Sequence, residues 1–249
     1  MPSPLRVFTF GPAYGLPTVG PFGLKLVACL TMLGVPFELV EENDASKGPK
    51  RKSPWIEHEG TRLGDTELIL RYVESTFGVA LDRHLSPTER AQGHALRRML
   101  EEHFHQVFEY ELILHDEGWR TTMRPILARA MPAVVVSFVG PMFRRSMRKH
   151  LYERGIARHS DEEILAFGKA DLDALAAALG DKPWLLGDVP AMVDASAFGL
   201  LASSIATRLP TPVCRYAQEH PALVAYVERA KERFVPARLR TAASITAGS

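Results

Sequence analysis

Two cysteines, Cys29 and Cys214, supply neither a disulfide framework nor a metal-binding pair in a chain of 249 residues. Cys29 sits among apolar residues in LKLVACLTML and reads as a small core residue. Neither sign of charge is in excess. Thirty Lys and Arg against 29 Asp and Glu leave +1, which provides no overall field to draw the chain to nucleic acid or a membrane. Long apolar runs are also missing. The longest, Ala130 to Phe143, is shorter than the roughly 20 residues a membrane helix needs, and Pro132 and Pro141 interrupt it. The start, MPSPLRVFTF, has no basic segment leading into an apolar one, and the end, TAASITAGS, is small and polar. Neither a signal peptide nor a tail anchor is expected, and the chain reads as cytoplasmic, in a reducing setting. No G-x-G-x-x-G or P-loop points to a nucleotide, no G-x-S-x-G elbow points to a hydrolase, and there are no repeats.

What is present is an ordinary globular composition, 46% hydrophobic and 24% charged, in two halves of different rhythm. LRVFTF (5–10) alternates as a strand does, and 22–34 carries apolar residues at helical spacing up to Gly34. PFELVEE reads as a second strand, and WIEHEGTRL as two short strands about the Glu59-Gly60 turn. Asp65-Thr66 opens a helix over 66–77 that stops at Gly78. This β-α-β then β-β-α order predicts a small mixed sheet with helices packed on it. From residue 86 the pattern is helical throughout. Ser86-Pro87-Thr88-Glu89 and Ser160 to Glu163 are capping boxes. The first opens a helix running to about His115, with Leu96, Met99, Leu100, Val107, Phe108 and Leu112 inward, and the second a helix to Leu179. Further helices are expected near 191–207 and 221–234. FGVALDRHL (77–85) is the expected connector between domains 1–80 and 86–249. The basic runs Lys47, Lys50, Arg51, Lys52 and Arg144, Arg145, Arg148, Lys149 read as a solvated loop and a wet helix face.

Three stretches carry a family likeness: Lys52-Ser53-Pro54-Trp55-Ile56, similar to K-x-P-x-L/I; the acidic-hydroxyl pair Asp65-Thr66; and WLLGDVPAMVDASAFGLLA, similar to FLxGDxPTxADAxxFxxLA. On these the chain resembles the glutathione transferases along nearly its whole length, and GPFGLK and KRKSPWIE bring it closest to the Fax and metaxin-like branch and its bacterial relatives. The fold class so implied is α+β, a thioredoxin-like N-terminal domain followed by an all-helical one. The resemblance further implies a cis Pro54, with the Ser53 backbone pairing with the cysteinyl unit of glutathione. It places Asp65 on the tripeptide's ammonium, Thr66 at its γ-glutamyl carboxylate and Lys52 at its glycyl carboxylate, with Gly20 and Phe22 beside the sulfur. Asp194 would be a structural cap, although its box partner position holds Ala191.

The stretch GPFG (20–23) matches a C-P-F-C site from which both sulfurs are gone, so disulfide exchange by a protein thiol is excluded there. A glutathione thiolate then needs another helper. Tyr14, Thr18 and the bare N–H groups of Gly20 to Gly23 are the open alternatives. The long helix after Glu89 should flank the interdomain cleft, with Arg98, Glu102, Tyr110 and Trp119 as candidates to line a second-substrate pocket. Glu102-x-x-His105 echoes a di-metal motif, but the further carboxylates and second Glu-x-x-His are missing, and His103 and His105 point to different faces, so no metal is expected. Two functions are implied. One is a glutathione-dependent transferase, or related lyase or isomerase, acting on a small electrophile as a homodimer without nucleic acid or membrane. The other is a non-catalytic interaction module of the Fax or metaxin kind. Lys52, Pro54 and Asp65-Thr66 favour the first; the missing sulfurs, Arg51 and Ser53 favour the second.

Overall fold

The computed structural model describes residues 4–240, so the polar end TAASITAGS and the first three residues lie outside the described residues. Strands β1 (Leu5–Thr9), β2 (Phe37–Glu41), β3 (Trp55–His58) and β4 (Thr61–Gly64) form one sheet in the order β2-β1-β3-β4. β1 and β2 are parallel and joined by helix α1 (Pro21–Met32), whereas β3 is antiparallel to both β1 and β4. The hairpin between β3 and β4 turns on Glu59 and Gly60, both at positive φ (48° and 76°), the geometry that matches strand twist in a two-residue loop. Helix α2 (Thr66–Phe77) starts at Asp65 and stops at Gly78, whose left-handed φ of 67° closes it. In β1, Leu5, Val7 and Thr9 face inward, which brings Thr9 to the point where the chain leaves the sheet for α1.

The helical half opens with the Ser86–Glu89 capping box. Pro87–Arg98 continues through two π-helical segments, Met99–Phe104 and Tyr110–Leu114, so that α3 is one long helix over 87–114. The extended backbone of His115 ends it. Then come α4 (116–130, with a π-helical turn), α5 (Ala133–Arg154), α6 (Asp161–Leu179), α7 (Met192–Ala206), α8 (Pro212–Glu219) and α9 (Pro221–Phe234). Helices α4 and α8 are not foreseen in the sequence, and of α5 only the basic stretch over 144–149 reads as helical. α5 contains Pro141 and turns Val134, Phe138 and Met142 outward, so its apolar residues do not mark a buried stripe. Arg144 is a correction to the wet face. It donates from Nε to the carbonyl of Ile113 (3.0 Å) and from Nη2 to that of Leu114 (2.6 Å) and to Asp116 (2.8 Å), satisfying carbonyls left over where α3 ends. Arg145, Arg148 and Lys149 are exposed. Among the described residues no helix is long and apolar enough to cross a membrane.

One core runs through both halves, joining Leu24, Leu30 and Ile56 to Phe104, Phe198 and Phe234. A close seam between α7 and α1 fixes the start of α1. A side chain at Gly199 of α7 would meet the Pro21 carbonyl at 2.3 Å, so only glycine admits this crossing. Asp194, fully buried, accepts the N–H groups of Ala191 (2.8 Å) and Leu185 (2.9 Å) and the Tyr226 hydroxyl (2.9 Å).

Candidate functional site

The end of β1, the loop over 10–20 and the first turn of α1 form a small polar corner. The Thr9 and Thr18 hydroxyls are 3.1 Å apart, Thr18 Oγ1 accepts the Gly20 N–H (3.2 Å), and Ser53 Oγ donates to Thr9 Oγ1 (3.4 Å). Thr18 is fully buried. Its hydroxyl holds the entry to α1, and the expectation that it could reach a ligand's sulfur is corrected on that ground. The same corner explains the glycines. A Cβ on Gly23 would lie 2.3 Å from Thr9 Oγ1, and one on Gly20 2.9 Å from the Phe10 ring. The sulfur-free GPFG is therefore a close-packed helix start. Its first-turn N–H groups, Phe22 and Gly23 among them, have no intrahelical acceptor and favour an anion.

The Ser53–Pro54 peptide is cis and leads directly into β3. Across from it, Asp65 Oδ1 accepts the N–H groups of Glu67 (3.0 Å) and Leu68 (3.2 Å), while among the described residues the exposed carboxylate keeps Oδ2 without a hydrogen bond. Beneath this helix start lies a buried charge network not read from the sequence. Lys25 of α1, 1% exposed, donates from Nζ to Thr66 Oγ1 (3.1 Å) and to Glu67 Oε1 (3.0 Å) and pairs with Glu101 Oε1 of α3 (2.8 Å). Glu101 also takes bonds from Arg98 (2.6 Å) and Ser196 (2.5 Å), and Arg97 pairs with Glu67. Burial pushes the Glu67 carboxyl up, but Lys25 and Arg97 outweigh it and hold it below the ordinary range.

The four expected pocket residues divide differently. Arg98 and Glu102, 3.2 Å apart, belong to the edge of this network. Tyr110 donates to Asp161 at the start of α6 (2.7 Å), and burial together with that carboxylate pushes its phenol up to about 12. Trp119 stacks on Phe143 (6.4 Å between ring centres) beneath the Arg144 guanidinium. Tyr110 and Trp119 thus bind the helical half to itself, which corrects the expectation that they line the cleft.

Tyr14 occupies a tight turn with Gly15, both at positive φ (54° and 72°), closed by Leu16 N–H to the Ala13 carbonyl (2.9 Å). Among the described residues its half-buried phenol makes no hydrogen bond, and burial raises its pKa against the opposing Arg129 of α4, so it stays protonated near neutral pH. Lys52 is exposed. The residue that sequence reasoning missed is His105. Its ring meets Phe22 edge-on at 4.9 Å, with Nδ1 3.9 Å from Glu109, and desolvation lowers its pKa. The readable signal was the His105–Glu109 spacing of one helical turn. His103, by contrast, is outside, bonded to Asp171 (2.6 Å). Among the described residues no group of three or more His, Cys, Asp or Glu is placed to hold a metal. Cys29 and Cys214 are buried, and desolvation pushes both thiols up to about 12. A shallow groove lined by Phe10, Pro12, Pro17, Leu39 and Glu41 opens at the β2 edge and contains none of the site residues.

Comparison with known proteins gives the same outline. Residues 21–118 match the glutathione S-transferase N-terminal domain and 168–230 the C-terminal domain. The chain is 31% identical over 236 residues to the isoprene-epoxide–glutathione S-transferase of Rhodococcus sp. (strain AD45), covering 92% of this chain and 99% of that protein. It is 29% identical over 232 residues to Failed axon connections of Drosophila melanogaster, where it spans 56% of the relative's length. The fold is similar to that of the beta-etherase LigF from Sphingobium sp. strain SYK-6, with a TM-score of 0.64 at 18% identity, covering 98% of this chain and 100% of that one. Matching both domain families and, end to end at 31% identity, a glutathione S-transferase, the chain belongs to the glutathione S-transferase superfamily, in the branch that includes Fax, metaxin and their bacterial relatives.

Proposed function

We propose that this chain is a glutathione transferase that adds the tripeptide's sulfur to a small strained electrophile of the epoxide class. The observation that carries the reading is the start of α1, where the first-turn N–H groups of Phe22 and Gly23 have no intrahelical acceptor and no protein sulfur is present. Asp65, at the start of α2, accepts its two backbone N–H groups through Oδ1 alone. The end-to-end likeness to an epoxide-conjugating enzyme supports it. In this reading Lys52 pairs with the glycyl carboxylate, the Ser53 backbone beside Pro54 pairs with the cysteinyl unit, and Asp65 holds the ammonium. The Thr66 N–H receives the γ-glutamyl carboxylate. The Gly20–Gly23 turn with Phe22 flanks the sulfur, and Tyr14 donates to the thiolate. Catalysis is then orientation plus thiolate stabilisation. The fully engaged Thr18 favours a second reading, a silent relative of the Fax kind, because the hydroxyl nearest the helix start is not free.

Calorimetry separates the two. Glutathione binds the wild-type protein, and Asp65→Ala weakens it by about tenfold or more, the worth of a lost charged hydrogen bond. Tyr14→Phe leaves binding intact and slows conjugation of glutathione to a small epoxide by a similar factor. No heat with millimolar glutathione would give the protein to the silent class. A cytoplasmic homodimer completes the proposal. Sedimentation velocity is expected to show a two-chain species, and a single-chain mass at micromolar concentration would remove the dimer.

A further inference from the structure

We propose that His105 is the proton carrier of the conjugation, its Nε2 taking the thiol proton of bound glutathione and delivering it to the oxygen released when the electrophile opens. The inference rests on the transferase reading above. The placement comes from α3, where His105 follows the π-helical segment Met99–Phe104 directly. Its ring lies edge-on to Phe22, the second residue of α1, at 4.9 Å between centres. The imidazole thus packs on the side chain of a residue in the turn whose N–H groups would hold the sulfur. Nδ1 is turned to Glu109 (3.9 Å), and Glu109 is held by Arg154 of α5 (2.9 Å). Among the described residues Nε2 has no hydrogen-bond partner, on a side chain that is still 17% exposed.

The charged groups around the ring are Glu109 and Glu102 on its own helix, Arg154 from α5, and Lys52 from the loop before β3. Burial is the largest influence and lowers the pKa; Arg154 and Lys52 act in the same direction, Glu109 and Glu102 against it. The imidazole is therefore neutral near pH 7, with a lone pair to accept a proton, whereas the Tyr14 phenol is held protonated. Two groups pushed in opposite directions make an acceptor and a donor available together. The step balances without any further reactant. The S–H bond breaks and its proton goes to Nε2. The thiolate then forms the S–C bond as the oxirane C–O bond breaks. Finally the alkoxide takes the proton from the imidazolium, and histidine is neutral again. Nothing is oxidised or reduced.

His105→Gln and His105→Phe, the second keeping an aromatic edge against Phe22, test this. Both are compared with wild type by calorimetry with glutathione and by conjugation of a small epoxide from pH 5 to 9. Glutathione affinity is expected to change by less than about threefold, while kcat/KM falls by on the order of 10²-fold. The acid limb of the wild-type profile, with an apparent pKa below the ordinary histidine value of about 6.5, disappears in both variants. An NMR titration of the wild-type histidines needs no variant to fold. A His105 ring that is neutral at pH 7 and shifts on adding glutathione supports the proposal, and an imidazolium there overturns it. Variants with wild-type kcat/KM and an intact acid limb overturn the role of His105 and leave the transferase reading standing. Failure of the wild-type protein to bind glutathione overturns both.

Discussion

Lys25→Met is expected to destabilise the protein by about 3–5 kcal/mol, the cost of removing one partner from a buried charge network. Lys25 is 1% exposed and bridges Thr66, Glu67 and Glu101 at 2.8–3.1 Å, joining the sheet half to α3. Glu101 is 6% exposed; without the ammonium it keeps only the Arg98 and Ser196 bonds while remaining in an apolar setting. Urea unfolding at pH 7 measures the loss, and a change below about 1 kcal/mol would show that the network is dispensable. Replacing both charges, as in Lys25→Met with Glu101→Leu, recovers much of the loss, because the pair's desolvation is removed along with its attraction. The pH dependence has a definite sign. The folded-state pKa of Glu67 is held down by Lys25 and Arg97, so its contribution is present above the ordinary glutamate range and lost as pH falls through the folded value. The gap between wild type and Lys25→Met therefore narrows in acid. The same substitution should weaken glutathione binding, since Thr66, at the proposed seat of the γ-glutamyl carboxylate, hangs from Lys25 Nζ.

Local signals carried most of the fold. Ser86 and Ser160 announce their helices through capping boxes, Gly78 ends α2, and Glu59-Gly60 sets the hairpin, each through groups a few residues apart. What was not legible depends on distant partners. LKLVACLTML hides Lys25 because an isolated lysine on an apolar helix gives no notice that Glu101, 76 positions on, will neutralise it. Thr18 looked free until Thr9 and the Gly20 N–H were seen to take its hydroxyl. Tyr110 and Trp119 looked like cleft residues until α6 and α5 were found to hold them. His105 was set aside with a metal motif that lacked its other half, and only the packing of α3 on α1 brings it to Phe22. Gly23 looked like a lost cysteine, whereas the clash with Thr9 shows why the position cannot carry a side chain.

Asp194→Ala is expected to cost about 3 kcal/mol or more, for a reason opposite to that of Lys25. Here the carboxylate has no cation beside it and is held by donors: the N–H groups of Ala191 and Leu185 and the Tyr226 hydroxyl, all within 2.9 Å. Removing it strands three donors in a fully buried place, at about 1–3 kcal/mol each, partly offset by no longer burying a charge. Asp194→Asn should recover only part, because its amide nitrogen faces donors where acceptors are needed. Burial raises the Asp194 pKa further than its three hydrogen bonds lower it. The folded state therefore binds this proton more readily than the unfolded chain. Wild-type stability from this group rises as pH falls through the raised folded value, so the gap to Asp194→Ala widens towards acid, whereas the Lys25→Met gap narrows. Urea midpoints for the two variants followed from pH 7 down to about pH 3 should diverge in this way. Parallel profiles would mean that neither carboxylate is held as the geometry indicates.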